Sequence, residues 1–307
     1  MKNCMGLQRD KVASIILLTY NGELYLEEVL RSVFNQKTTF GYEVIAIDSG
    51  STDSSVEILR KYPVKIHQIS NSEFGHGKTR NLGAKLAAGD YIVYLTQDAT
   101  PVNENWLENL VSTVARGEGI AGAYSRQLPR PDCNPCERRD IYGGAPPLSI
   151  IKKIDFKDNL QKETYEQNMH NFILFSNVSS CIRKKVNSEL PFNENILMME
   201  DQEWCKRALE SGYKVIYDSA SAVYHSHDFS VGKNYRRHFD YGRSLKEFAN
   251  LKVSFSNILI STFFESLFDF FFILGQPKDL FWKIKWCAKS PLLRFAMKYG
   301  FYKGLRH

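Results

Sequence analysis

The sequence predicts an α/β fold in which a mostly parallel sheet is flanked by helices. Over residues 13–124, short apolar runs alternate with segments in which apolar residues recur at helical spacing. Such alternation of strands and helices is typical of a parallel sheet that is covered on both faces. From about residue 235 the pattern becomes helical and amphipathic, which predicts a helical extension at the C-terminal end.

The predicted elements of residues 13–124 follow one another in a regular order. Strands are expected at 13–18, 42–47, 65–68, 91–95 and 120–124, where most residues are apolar or β-branched. Helices are expected at 26–34, 56–59, 79–88 and 105–115, where apolar residues recur at helical spacing. A hydroxyl or carboxyl group at 51–53 can cap the second helix, and Gly89 can end the third.

After residue 124 this alternation stops. Residues 126–170 are polar and carry many turn residues, which predicts a long, partly mobile loop region that contacts substrate. Its Cys133-Asn134-Pro135-Cys136 segment is interpreted as loop, because no second cysteine pair follows at the spacing of a zinc site. A helix is expected at 200–211, with short strands at 214–217 and 222–224. We therefore expect one domain over 12–245, with halves at 12–124 and 125–245, and a helical tail over 246–307.

The composition argues against several classes of protein. The 307 residues are 43% hydrophobic, which is enough for a globular core. The net charge is +6, but no dense basic run alternates with aromatic residues as in a nucleic-acid binder. The six cysteines are scattered, unlike a secreted disulfide framework, and the first ten residues lack the apolar core of a signal peptide. The sequence therefore predicts a cytoplasmic protein.

Three acidic segments follow apolar runs and predict an enzyme that acts on a nucleotide-activated substrate. Asp48 ends the run 42–47, Asp98 follows the run 91–95, and Glu200-Asp201 follows the run 197–199. Ligands of α/β sheets bind at the carboxyl ends of the strands. If the fold brings these segments to one edge, their carboxylates can serve a nucleotide, a divalent metal and a general base.

Five ordered segments resemble the family 2 glycosyltransferases, which have the GT-A fold. These segments are 16–22, 48–53, 79–84, 95–99 and 200–204, and the resemblance covers residues 12–245. Two details are similar to the rhamnosyltransferase branch of this family. They are Phe74-Gly75-His76-Gly77 running into Thr79-Arg80-Asn81, and Thr96-Gln97-Asp98-Ala99 in place of the usual Asp-rich turn.

The resemblance implies an inverting, metal-dependent transferase with a nucleotide-binding half over 12–124 and an acceptor half over 125–245. The expected donor is dTDP-L-rhamnose, and the expected acceptor is a cell-surface polysaccharide or lipid-linked glycan. A UDP-sugar donor is one alternative, and a non-catalytic, nucleotide-sugar-binding membrane scaffold is another. A Rossmann dehydrogenase is a poor fit, because no Gly-x-Gly-x-x-Gly follows the first strand. The residues expected to contact the donor are Thr19, Tyr20, Asn21, Asp48, Ser49, His76, Arg80 and Gln97.

Each assigned role has a structural alternative. The resemblance makes Asp48 the acceptor of a hydrogen bond from the N3–H of a uracil or thymine ring, but 48–53 could simply begin a capped helix. Arg80 could bind diphosphate oxygens or form a surface salt bridge, and His76 could contact the donor or order its loop. Asp201 is the expected general base. Glu200 would orient the acceptor or support Asp201, although any first helical turn favours acidic residues.

Asp98 is the expected ligand of Mg²⁺ or Mn²⁺, which would neutralise the diphosphate leaving group. The family usually has a further Asp at the position of Thr96, and its absence here weakens the assignment of Asp98 as a metal ligand. Asp98 could instead cap the next turn. His225 and His227 are the candidate histidine ligands, since alternate residues of an extended segment point to the same side. The sequence leaves the choice between these two histidines open.

The tail carries an apolar block at 263–273, followed at 281–296 by aromatic residues interleaved with lysines and arginines. Tryptophan and lysine suit a membrane interface, so we expect peripheral contact with the inner face of the cell membrane. The alternative is that the tail packs on the catalytic domain or on a second subunit of a homodimer. A spanning helix is not expected, because no uninterrupted apolar run reaches about 18 residues.

Overall fold

The computed structural model describes residues 12–249 and 251–307, which form two compact units. The first unit contains the described residues up to Gln127 together with Pro146–Asn195 and Glu200–His225. The second unit contains Leu128–Ala145, Ile196–Met199 and the described residues of Ser226–His307.

The first unit is built on a nine-stranded mixed sheet. The strands are β1 (Ala13–Thr19), β2 (Tyr42–Asp48), β3 (Val64–Gln68), β4 (Tyr91–Thr96), β5 (Thr100–Pro101), β6 (Ile120–Leu128), β7 (Ile150–Lys152), β8 (Ser179–Arg183) and β9 (Lys214–Tyr224). Its strand order is β3-β2-β1-β4-β8-β6-β9-β5, and β7 pairs with β9. Parallel pairing joins β3, β2, β1 and β4, whereas β8 is antiparallel to both β4 and β6. The predicted α/β fold is confirmed, but the sheet is mixed. Its four parallel strands all lie in the predicted alternating region, whereas β6, which was expected there as well, pairs with the antiparallel β8.

Eleven α-helices are present in the described residues. The predicted helices of the alternating region are found within a few residues of their expected bounds. The predicted C-terminal helices are also present. The helices are α1 (Glu23–Phe34), α2 (Ser55–Arg60), α3 (His76–Leu86), α4 (Trp106–Ala115), α5 (Pro135–Gly144), α6 (Asn159–Phe172), α7 (Lys184–Glu189), α8 (Glu200–Glu210), α9 (Val231–Lys246), α10 (Phe255–Leu274) and α11 (Leu280–Gly304).

The segment 126–170 is not a continuous loop, because it contains α5, β7 and α6. Its polar residues are helix caps as well as turn residues. The Asn134 side chain accepts a hydrogen bond from the Glu137 N–H, and Pro135 occupies the first turn of α5. Asp158 caps α6 in the same way. Cys136 therefore lies in a helix, where it is buried, and not in the loop that we predicted.

Close packing of α3 on the sheet positions part of the site. Gly83 of α3 lies so near β1 that an added Cβ would be 2.4 Å from Ile16 Cγ2. Any larger residue would have to displace the Ile16 side chain, so glycine permits the close approach of α3 to β1. The N-terminal turn of α3, with His76 and Arg80, is fixed to the sheet as a consequence.

Candidate active site

The carboxyl ends of the parallel strands place the predicted donor residues at one edge of the sheet. Thr19, at the end of β1, is in register with Asp48, at the end of β2. Leu18 is in register with Thr96, at the end of β4. The loops after these three strands therefore start side by side, which is where a parallel sheet binds its ligands.

Two of these loops are joined by side-chain to backbone hydrogen bonds. The Asn21 Oδ1 accepts from the Thr52 N–H at 2.8 Å, and the Asn21 N–H donates to Ser51 Oγ at 3.0 Å. Asn21 has a φ of 47°, a left-handed conformation that Asn tolerates better than most residues. The Gln97 amide holds Tyr20 by both backbone groups, at 2.8 and 3.0 Å. The structure thus shows Gln97 ordering the loop that contains Tyr20.

Asp48 is fully buried, and its carboxylate organises the loop that follows it. Oδ1 accepts from the backbone N–H groups of Gly50 and Ser51 at 3.1 and 3.0 Å. Oδ2 accepts from the Ser51 and Thr19 hydroxyls. The neighbouring Ser49 hydroxyl is buried and makes no hydrogen bond within the described part of the chain. Asp48 therefore stabilises the conformation of the loop that follows β2. Its predicted hydrogen bond to the nucleotide base stays a prediction.

Arg80 and Glu200 form a buried ion pair in which Arg80 Nη1 lies 2.7 Å from Glu200 Oε1. Arg80 is thus not in a surface salt bridge. Asn177 Nδ2 also donates to Glu200 Oε1, at 3.3 Å. Burial alone would raise the pKa of Glu200, but the nearby Arg80 and His76 charges, together with hydrogen bonds such as that from Asn177, lower it overall. Glu200 is therefore a fixed negative charge at the start of α8.

The adjacent carboxyl of Asp201 has the opposite shift. Burial and the charge of Glu200 raise the pKa of Asp201 to about 7. Its Oδ2 accepts from the Asn177 N–H at 3.0 Å, and its Oδ1 accepts from the Gln202 N–H at 2.9 Å. A carboxylate whose pKa is near neutrality is suited to accept a proton from a substrate hydroxyl.

Asp98 and His225 form the candidate metal-binding pair. Asp98 Oδ1 lies 3.7 Å from His225 Nε2, and each residue offers one ligand atom to a cation. His225 Nδ1 lies 3.0 Å from Gln127 Oε1. Gln127 Nε2 donates to Ser176 Oγ at 3.1 Å, so its Oε1 is the atom that faces the imidazole. This arrangement favours a proton on Nδ1 and a lone pair on Nε2, as in histidines that bind metals.

His227 belongs to the second unit. Its backbone N–H donates to Glu137 Oε1 at 2.8 Å, and its ring stacks on Phe229 with centroids 4.6 Å apart. These contacts do not test whether His227 binds a metal, so that role stays a prediction. Thr96, which stands where the family usually has a further Asp, has a buried hydroxyl with no hydrogen-bond partner among the described residues.

Two residues of this site were missed by the sequence analysis. Gln127 orients His225 although 98 positions separate them, and Asn177 contacts both Glu200 and Asp201 across more than 20 positions. Neither residue lies in a motif, and no local pattern in a single sequence signals such a long-range hydrogen bond.

The family model for glycosyl transferase family 2 matches residues 14–183, which is more than half of the chain. The chain belongs to this family. It is 34% identical to the O-antigen chain rhamnosyltransferase WbaN of Salmonella anatum, over 75% of this chain and 70% of the relative. It is 32% identical to the O-antigen chain rhamnosyltransferase RfbN of Salmonella typhimurium, over 75% of this chain and 71% of the relative. The protein is therefore a rhamnosyltransferase-like family 2 glycosyltransferase.

Solved structures agree with this fold. A mannosyltransferase from Pyrobaculum calidifontis in complex with GDP-Man and Mn²⁺ matches with a TM-score of 0.57 at 16% identity, over 92% of this chain and 85% of that chain. Residues 1–349 of TarS from S. aureus match with a TM-score of 0.53 at 17% identity, over 91% and 70%. These similarities confirm the predicted GT-A fold.

Proposed function

We propose that this family 2 glycosyltransferase moves L-rhamnose from dTDP-rhamnose onto a polysaccharide or lipid-linked glycan, with inversion at the anomeric carbon. The mechanism is supported mainly by the environment of Asp201. Its carboxyl has a raised pKa, and the Asn177 N–H holds it at the start of α8. The rhamnosyl assignment is supported by two relatives that are named O-antigen chain rhamnosyltransferases.

In the proposed reaction, Asp201 takes the proton of the acceptor hydroxyl. The acceptor oxygen then forms a bond to the anomeric carbon, on the face opposite the diphosphate. The carbon–oxygen bond to the diphosphate breaks, and its electron pair leaves with the nucleoside diphosphate. Glu200 supports this step by holding Asp201 at a raised pKa, while Arg80 keeps Glu200 charged.

The donor would bind along the strand edge that contains Thr19, Asp48 and the loop 20–22. Ser49 offers a buried hydroxyl with no hydrogen-bond partner among the described residues. Tyr20 is 46% exposed and can stack against a nucleobase. The amino end of α3, which contains His76 and Arg80, would attract the negative diphosphate through the helix dipole, while the Arg80 charge is paired with Glu200. Gln97 contributes by holding Tyr20 in place.

Asp98 and His225 fit a divalent cation, because one carboxylate and one oriented imidazole suit Mn²⁺, whereas Mg²⁺ prefers oxygen ligands. Such a cation would offset the negative charge that develops on the leaving diphosphate. We propose His227, which follows His225 after one intervening residue, as a further ligand. With so few protein ligands, coordination positions remain open for phosphate oxygens.

Replacing Gln127 with alanine is expected to weaken Mn²⁺ binding by about 10- to 100-fold, the usual effect of losing a group that orients a metal-bound histidine. Titration calorimetry with Mn²⁺ measures this change directly. The Gln127→Glu variant keeps an acceptor for the His225 Nδ1–H and is expected to retain most of the affinity. Unchanged Mn²⁺ affinity in the alanine variant would contradict the positioning role.

Because Asp201 must be deprotonated to act as a base, kcat/KM is expected to rise with pH through about 7. In Glu200→Gln the negative charge beside Asp201 is lost, and Arg80 is left to stabilise the Asp201 carboxylate. Both changes lower the pKa of Asp201, so the acidic limb of the profile should move to lower pH. A limb that stays in place in this variant would mean that another group controls it.

A UDP-sugar is the second candidate donor, because TarS has been solved in complex with UDP-GlcNAc and matches this chain with a TM-score of 0.53 at 18% identity. Titration calorimetry separates the two candidates. The protein would be titrated with dTDP-rhamnose, UDP-glucose, UDP-GlcNAc and GDP-mannose, each with and without Mn²⁺. We expect selective, Mn²⁺-enhanced binding of dTDP-rhamnose. Selective binding of a UDP-sugar would overturn the donor assignment and leave the mechanism in place.

We further propose that the enzyme works at the inner face of the cell membrane, where a lipid-linked acceptor would be presented. This location is supported by the exposed apolar and basic surface of the second unit. A homodimer that covers this surface is the alternative.

A further inference from the structure

Helix α10 presents a broad apolar face to solvent. The exposed positions recur at spacings of three and four residues, so they share one side of the helix. An exposed face of this size is a docking surface, because soluble proteins rarely leave so many large apolar side chains in contiguous exposure. The exposed side chains are Phe255, Leu259, Ile260, Phe263, Phe264, Leu267, Phe268, Phe270, Phe271 and Leu274.

The opposite face of α10 is fixed to the second unit by a buried charge network. Asp269 is fully buried and accepts hydrogen bonds from Arg294 Nε and Nη2, both at 2.7 Å, and from the Ser290 hydroxyl. Arg139 Nε, from α5, lies 2.9 Å from Asp269 Oδ1. Arg139 also pairs with Glu265, one helical turn before Asp269. α10 is thereby tied to both α5 and α11 through its own charged face.

This charge network limits the orientations in which α10 can contact a bilayer. By length and composition α10 could cross a membrane, since it has 20 residues and an 18-residue window within it has a mean hydropathy of 1.6. As expected from the sequence, Glu265 and Asp269 interrupt the apolar run, so α10 meets this criterion by mean hydropathy and not by an uninterrupted apolar stretch. However, if α10 crossed the membrane, the ion pairs of Glu265 and Asp269 with arginines would break. Two carboxylates would then enter the hydrocarbon, which is strongly unfavourable. A helix with one apolar face and a charged face held by protein instead lies in the plane of the interface.

The net positive charge of the second unit favours contact with an anionic surface. Residues 226–307 contain 14 Lys and Arg and six Asp and Glu, a net charge of +8. The start of α11 adds exposed Leu280, Phe281 and Ile284. Lys289 Nζ lies 4.5 Å from the ring centroid of Trp286, which is itself buried. Exposed apolar side chains next to lysines are typical of a helix at a membrane interface, and a basic surface is attracted to anionic lipids. A second copy of the chain would bring like charge to this surface and is disfavoured.

We propose that α10 and the start of α11 form an in-plane docking hairpin, which inserts its exposed apolar face into the headgroup region of an anionic bilayer without crossing it. The inference rests on the proposed function only in that a lipid-linked acceptor would be reached at this surface. The docking itself requires neither donor nor metal.

Flotation of the full-length protein with phospholipid vesicles tests the docking surface. Binding is expected to vesicles of phosphatidylcholine with about a quarter phosphatidylglycerol, a composition that supplies the anionic surface. The triple variant Phe263→Ser, Phe264→Ser, Phe271→Ser should lose at least about tenfold in vesicle affinity, as expected for three lost apolar contacts. The matched control, Leu148→Ser, Ile151→Ser, Leu160→Ser, removes three exposed apolar residues of the first unit and should bind like the wild type.

Further measurements separate this proposal from its competitors. Both triple variants should keep the wild-type thermal melt and the wild-type affinity for dTDP-rhamnose, so that a loss of vesicle binding is not a loss of fold or donor site. Wild-type vesicle binding by the phenylalanine variant would overturn the proposal. So would a wild-type dimer that the phenylalanine variant converts to monomer in sedimentation, because the face would then be covered by a second copy.

Protease treatment of inverted membrane vesicles tests the in-plane geometry. These vesicles, prepared from cells that express the protein, expose their cytoplasmic face. If α10 lies in the plane, a C-terminal epitope after His307 stays outside and is digested. If α10 crosses the bilayer, the epitope is protected until detergent is added, and the in-plane assignment is wrong.

Discussion

Replacing Asp201 with asparagine is expected to slow sugar transfer by about 10²- to 10⁴-fold, the usual contribution of a general base. Asparagine keeps the size of the side chain and can still accept the Asn177 N–H through its Oδ1. Donor binding should therefore change little. The measurement is kcat for transfer, together with the affinity for dTDP-rhamnose from titration calorimetry.

The control for Asp201→Asn is Glu118→Gln, which neutralises an exposed carboxylate at the amino end of the sheet, away from the proposed site. This variant should retain wild-type transfer and wild-type donor affinity. If Asp201→Asn loses donor binding in proportion to its loss of rate, Asp201 is part of the donor site and the base assignment is wrong. If transfer persists near the wild-type rate, another group accepts the proton.

Replacing Asp98 with asparagine is expected to reduce Mn²⁺ affinity by more than about 100-fold, because loss of a direct ligand should exceed the 10- to 100-fold cost of losing an outer partner. Transfer should fall with it, since the diphosphate would leave without charge compensation. Titration with Mn²⁺ in the absence of donor measures the metal site by itself. Restoration of transfer by excess Mn²⁺ would show that the loss of activity arises from the metal site.

The two histidines are distinguished by the same titration. His225→Ala is expected to lose Mn²⁺ affinity to a similar degree as Asp98→Asn, since its Nε2 lies 3.7 Å from Asp98 Oδ1. His227→Ala should lose affinity only if this residue completes the site. If Asp98→Asn and His225→Ala both bind Mn²⁺ like the wild type, the metal site lies elsewhere in the chain.

The elements that the sequence predicted well are those with a local pattern. The strands β1, β2 and β4 are continuous apolar runs, and α1 and α4 have clear helical periodicity, so their positions follow from residues that are neighbours in the chain. The meeting of Thr19, Asp48 and Thr96 at one edge follows in turn from parallel pairing. The family segments around Asp98 and Asp201 lie at strand ends or helix starts for the same reason.

What the sequence did not predict depends on contacts between distant residues. Arg80 and Glu200 are 120 positions apart, and their ion pair shows that Glu200 is a charged partner of Asp201 and not a free carboxylate. The helix α5 was missed because Asn134 and Pro135 are common both in turns and at helix starts. The charged residues within α10 interrupt its apolar run in the sequence, but Asp269 is buried by arginines from two other helices.

The most direct test of the central claim is a transfer assay with radiolabelled nucleotide sugars. The full-length protein would be incubated with Mn²⁺ and a membrane lipid extract from its own host as the acceptor source, and the label in the lipid fraction would be counted. We expect label from dTDP-rhamnose, little label from UDP-glucose or UDP-GlcNAc, and label reduced by at least about 100-fold in Asp201→Asn. Label from a UDP-sugar alone would contradict the rhamnosyl assignment. Tight binding of dTDP-rhamnose without any transfer would contradict the enzyme mechanism and favour a nucleotide-sugar-binding scaffold.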